Sequence, residues 1–148
     1  MRMTNEMDYA LRIMDCLAQN NQTEHGVSTT FIAEKTAVTQ RFALKILHKL
    51  ASSGLVISYK GANGGYSLAR KPEEINLLSI IESVDGPIAI NDCLSDGNEC
   101  TCFNTDKSHC FYHHLLDDIN DTIASKLRCI TLKDALDGTV KKLKNKNI

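Results

Sequence analysis

The chain predicts a mainly α-helical fold that carries one small β-hairpin and closes on a long helix, and three observations support this. Apolar residues recur at helical spacing near the start, as in Met3, Met7, Ala10, Leu11, Met14, Leu17 and Ala18. Between Leu55 and Ala69 the pattern switches to two short β-rich runs around the turn string Gly61-Ala62-Asn63-Gly64-Gly65. A second long helical stripe then appears, made of Leu115, Leu116, Ile119, Ile123 and Leu127.

In chain order, residues 4–20 form the first amphipathic helix, and the polar run 20–26 is a connection. Thr30 to Lys35 is a short second helix with Phe31 and Ile32 facing inward. Thr36-Ala37-Val38 is a tight turn. Thr39 is a good N-cap for a third helix with the apolar stripe Phe42, Ala43, Ile46, Leu47 and Leu50. Gly54 ends that helix, since glycine tolerates the left-handed turn just past a helix terminus. The hairpin follows, Pro72 breaks the chain, Asn76 caps a helix through Ile80 and Ile81, and Gly86-Pro87 stops it. Beyond a polar segment lies the long helix, and Thr131 with Asp134 makes a capping box for a last short one. Helix, short helix, turn, helix, hairpin is the order of a winged helix-turn-helix. The expected division is 1–86 for this head, 87–110 for a cysteine-rich loop, 111–136 for the long and last helices, and 137–148 for a basic, frayed tail.

Length and composition bound the possibilities. A chain of 148 residues suits one compact domain or a small domain with an extension, and 43% hydrophobic residues is ordinary for a globular protein. No run reaches membrane-span length and the N-terminus lacks signal-peptide regions, so a soluble, cytoplasmic protein is expected. No nucleophile, base and orienting group can be assembled from the motifs, and Gly61 to Gly65 lies inside a hairpin, unlike a nucleotide-binding loop. An enzyme is therefore not expected.

The net charge of −1 conceals a division along the chain. Seven cations (Lys35, Arg41, Lys45, Lys49, Lys60, Arg70 and Lys71) occupy 35–71 with no Asp or Glu, whereas 91–121 holds seven carboxylates against Lys107 alone. A one-signed segment in a neutral protein suits a polyanion, and it coincides here with the helix-turn-helix order. On that geometry Thr39, Gln40 and Arg41 enter the major groove of double-stranded DNA. Gln40 is suited to adenine and Arg41 to guanine. Lys45 and Lys49 are placed for phosphates. In the wing, Gly61 and Gly64 allow close backbone approach, while Lys60 and Asn63 supply a charge and an amide.

Cys93, Cys100, Cys102 and Cys110 fall within eighteen residues, and His113 follows Cys110 by three. Clustered thiols in a polar loop of a reducing compartment favour a metal or redox role over packing or disulfides. Soft thiolates at this spacing suit zinc or an iron–sulfur cluster, with a cluster-free thiol switch as a third reading. Cys16 in the first helix and Cys129 after the long one are expected to be small packing residues.

The sequence resembles the family of small winged-helix repressors and activators that includes IscR, NsrR, RirA and CymR. The matching pieces are Met1-Arg2-Met3-Thr4, Asp8-Tyr9-Ala10-Leu11-Arg12, Ile32-Ala33-Glu34, Ile46-Leu47-His48-Lys49-Leu50 and Gly54-Leu55-Val56. The wing, Lys60 to Ala69, is the most diagnostic piece, and Glu73-Glu74-Ile75 and Ile130-Thr131-Leu132 also fit. Lys60 stands where an arginine is often found, which softens minor-groove readout.

The resemblance implies a transcriptional regulator, a repressor in kind, that acts as a homodimer on a pseudo-palindromic operator. Leu115, Leu116, Ile119, Ile123 and Leu127 would then face the partner subunit. In the cluster-binding branches three loop cysteines hold a cluster, either 2Fe–2S or 4Fe–4S, that senses redox state, nitric oxide or iron–sulfur status. The fourth ligand is an acidic residue of the partner's first helix in NsrR-like members, which Asp8 would match. In IscR-like members it is a histidine three residues past the last cysteine, which His113 matches. The string around Asp8 is the more NsrR-like. The loop departs from the family by being longer, with six residues between Cys93 and Cys100 or eight between Cys93 and Cys102. Either Cys100 or Cys102 could be the middle ligand, and four thiols together are a further possibility. The alternative is a CymR-like, cluster-free regulator switched by a protein partner, zinc or thiol oxidation.

Overall fold

A computed structural model describes residues 4–20, 25–95 and 107–138. Thr4 starts helix α1 (Asn5–Gln19) as its N-cap, its hydroxyl accepting from the Met7 amide at 3.2 Å. The same hydroxyl donates to Asp85 at 2.6 Å, which fastens the start of α1 to the end of a later helix. Ala10, Ile13, Met14 and Leu17 are completely buried, as the 3.6-residue period requires.

Helices α2 (Thr29–Thr36) and α3 (Gln40–Ser52) follow, each started by a hydroxyl cap, Ser28 and Thr39. Both pack on α1 and on each other. Ala37, between them, is the non-glycine residue with positive φ among the described residues, at φ 55° and ψ 35°. A side chain there brings Cβ against the following carbonyl. Ala37→Gly is accordingly expected to raise the unfolding free energy by about 0.5–1 kcal/mol, read from urea denaturation with an unchanged slope. Gly54, at φ 69°, sits just past Ser53 and closes α3 in the way the sequence predicts.

Strands β1 (Val56–Ser58) and β2 (Tyr66–Leu68) pair antiparallel, with Ile57 opposite Ser67. The wing has a third member that periodicity could not reveal. Val27 bridges Tyr66 through two backbone bonds of 2.7 and 2.9 Å, so the connection after α1 finishes as a one-residue strand.

Asn76 caps α4 (Leu77–Asp85), accepting from the Ser79 amide at 2.8 Å. Two 3-10 turns, at 92–94 and 107–109, pack on the long helix α5 (Phe111–Arg128). Its Asn120 side-chain oxygen, Oδ1, accepts from the Ile90 amide at 3.2 Å. The last helix, α6 (Leu132–Leu136), has the capping box predicted for Thr131 and Asp134. It returns to the head instead of extending α5. Leu77 donates to the Ile130 carbonyl at 2.9 Å and Leu132 to that of Ile75 at 2.8 Å, which puts the Leu132 side chain in the head's core.

Two expectations change. Phe42 is 46% exposed, because it lies at the edge of the buried stripe of α3 and rests edge-on against Tyr9 at 6.3 Å. Cys129 is exposed at the end of α5, which offers no core there for it to pack into; Cys16 is buried as expected. Burial raises the Cys16 thiol above its ordinary range.

Candidate nucleic-acid interface and metal centre

The candidate recognition element is α3 (Gln40–Ser52), and its two faces differ sharply. Ala43, Ile46, Leu47 and Leu50 are fully buried against the rest of the head. On the opposite face Arg41, Lys45, His48 and Ser52 recur at helical spacing, and all four are exposed. His48 and Ser52 thus share the exposed face of Arg41 and Lys45, although neither was among the residues expected at DNA. The same spacing that defined the core stripe, read half a turn away, would have found them. Thr39 and Gln40 are exposed at the entering end, with Gln40 Nε2 at 3.5 Å from Thr30 Oγ1.

The two lysines of this helix have partners within the protein. Lys45 forms an ion pair with Oε1 of Glu6, from the first turn of α1. Lys49 donates to Oε2 of the same carboxylate at 2.6 Å and to the Val84 carbonyl at 2.6 Å. The bonds from Lys45 and then Lys49 hold the Glu6 carboxyl below its ordinary range. These pairs tie α1, α3 and the end of α4 together.

At the wing, Lys60, Gly61 and Asn63 are exposed at the tip. Gly64 is needed for a close approach: a Cβ there would lie 2.2 Å from the Tyr59 carbonyl oxygen. The tip is closed by Gly64 donating to the Gly61 carbonyl at 3.0 Å and Tyr59 donating to that of Gly65 at 2.8 Å.

The thiol region is organised around α5. Cys93 lies in the 3-10 turn that packs on this helix, and Cys110 is the N-cap residue of the helix itself. Both are half-buried free thiols. Cys100 and Cys102 fall outside the described residues. One turn beyond Cys110, His113 Nδ1 is buried and has no hydrogen-bond partner among the described residues. An unpaired buried polar atom costs about 1–3 kcal/mol, so it signals a missing partner. His109 and His114 are exposed, and each bonds to Ser108 at 2.9 Å.

Asp8 sits elsewhere, on α1, and its carboxylate is engaged by Arg12 at 2.6 Å. Arg12 also lies over the Tyr9 ring at 5.9 Å. Among the described residues, no three His, Cys, Asp or Glu side chains converge as a complete metal site. What fits an iron centre is the donor chemistry of two free thiols and an imidazole without a partner among the described residues, on or against α5. Along α5, Leu115 and Ile119 are 44% and 41% exposed, Leu116, Ile123 and Leu127 are half-buried, and no residue is buried.

Residues 3–138 match the profile of the Rrf2 family, described as iron-dependent transcriptional regulators. NsrR of Bacillus licheniformis is 30% identical over 142 residues, covering 92% of each chain. IscR of Pectobacterium atrosepticum is 31% identical over 138 residues, covering 93% of this chain and 80% of that one. Among solved structures, CymR, titled the global cysteine regulator of B. subtilis, superposes with a TM-score of 0.73 at 26% identity, covering 94% of this chain and 98% of that one. IscR of T. potens gives 0.71, also at 26% identity, covering 96% and 90%.

Proposed function

The chain belongs to the Rrf2 family of winged-helix transcriptional regulators, which are DNA-binding proteins and not enzymes, and from that premise we propose a regulator whose operator binding is governed by an iron–sulfur cluster. The observation that carries the cluster is His113 Nδ1, buried one turn beyond Cys110 and without a partner among the described residues. Cys93, Cys110, one of Cys100 or Cys102, and His113 would hold it. This ligand set favours His113 over Asp8, whose carboxylate already serves Arg12. When bound, such a cluster supplies an iron centre reactive towards oxidants and nitric oxide.

The protein's own residues would do the rest. Thr39, Gln40 and Arg41 enter the major groove, with His48 on the same exposed stripe. Lys60, Gly61, Asn63 and Gly64 bring the wing to the phosphate backbone. Leu115, Leu116, Ile119, Ile123 and Leu127 cover one another across a twofold, since α5 leaves its apolar stripe half-open on a single subunit. Two heads so joined read a pseudo-palindromic operator. Helix α5 carries both the dimer stripe and the ligands Cys110 and His113, so ligation bears directly on head spacing.

The test is anaerobic purification, with iron and acid-labile sulfide counted per subunit and binding to a selected operator duplex compared before and after cluster removal. Visible absorbance and a shift in operator affinity are expected. A colourless, iron-free protein whose binding is indifferent to reconstitution would sink the cluster. It would favour a cluster-free regulator switched by a partner or by thiol chemistry, a reading supported by the likeness to CymR.

A further inference from the structure

We propose that Glu6 is a built-in competitor for DNA phosphate, restraining Lys45 of the recognition helix and thereby limiting sequence-independent binding. The inference rests on the head's binding to DNA. Lys45 lies on the exposed face of α3, one turn after Arg41 and one turn before His48. Its position suits a backbone phosphate, yet its ammonium is paired with Oε1 of Glu6. Glu6 comes from a different helix and sits in its first turn, fixed by the Thr4 cap and by the Thr4–Asp85 bond of 2.6 Å. The competing carboxylate is thus held in place by the fold.

The two lysines are not equivalent. Lys49 also donates to the Val84 carbonyl at 2.6 Å, so it keeps a partner when Glu6 is removed. Lys45 has Glu6 alone among the described residues, and its side chain is 53% exposed. A phosphate reaching Lys45 must displace a carboxylate of the same charge sign. Non-specific binding depends almost wholly on phosphate contacts, whereas operator binding adds base contacts from Gln40 and Arg41. A fixed carboxylate beside Lys45 therefore penalises the non-specific mode in greater proportion.

The experiment uses the full chain and a random-sequence 30-base-pair duplex (a probe length chosen as about three helical turns), followed by fluorescence anisotropy across a salt series. Glu6→Gln is expected to bind this duplex about three- to tenfold more tightly near 0.1 M salt, with the slope of log affinity against log salt steeper by about 0.9, the signature of one added phosphate. The double variant Glu6→Gln, Lys45→Gln should return to the parent slope. A merely structural role for Glu6 would lower the melting temperature and weaken binding without steepening the slope. An unchanged slope in Glu6→Gln, or a gain that survives in the double variant, would overturn the proposal. A parent protein with no salt-dependent binding would overturn the DNA interface itself.

Discussion

His113→Ala is expected to lower cluster retention by about tenfold or more on anaerobic purification, while Asp8→Asn keeps the parent's iron and sulfide content. The contrast follows from how the two side chains are satisfied. The Asp8 carboxylate has Arg12 at 2.6 Å and is half-exposed, so it is stable without a metal. His113 Nδ1 is buried with nothing to bond among the described residues, a state that coordination would relieve. Its place one turn beyond Cys110 on a regular helix also fixes its position relative to that thiol. Iron and sulfide assays with visible spectra read the result. The opposite pattern, with Asp8→Asn colourless and His113→Ala unchanged, would move the fourth ligand to the first helix of the partner.

Leu132→Ala should destabilise the whole head, by about 2–5 kcal/mol out of a total on the order of 5–15. Leu132 is 1% exposed and packs in one cluster with Ile75 and Ile80 of the head. Its backbone is held as well, donating to the Ile75 carbonyl at 2.8 Å. Removing three carbons there leaves a cavity lined by elements that other bonds hold in place. Urea unfolding should show a lower midpoint with the slope preserved. A change within about 0.5 kcal/mol would mean that α6 is peripheral to the head.

Local signals made most of the architecture legible. Thr39, Asn76 and Thr131 cap their helices because a side-chain oxygen near an open helix start is a short-range interaction. The wing was equally plain, since its turn needs glycine where Gly64 meets the Tyr59 carbonyl. What stayed hidden depends on distant partners. Nothing local says that Val27 will pair with Tyr66, or that Glu6 will reach Lys45 and Lys49 from another helix. Phe42 was misplaced because its spacing fits the buried stripe, and only the position of Tyr9 decides which edge of that stripe stays open. At the thiol site only the candidate ligand types could be read from residue chemistry. The satisfied state of Asp8 and, among the described residues, the unsatisfied state of His113 could not.

The bond from Ile90 to Asn120 has a consequence for how this protein can vary. The segment carrying the middle cysteines leaves from one side of α5 and comes back to the start of that same helix at Cys110. Both its ends are therefore moored to one rigid rod. Insertions between them need not shift α3, the wing or the head's core, and each doubling of such a span costs only about 0.6 kcal/mol in closure entropy. A change in the length of this segment would therefore leave α3 and the wing where the head's own packing holds them.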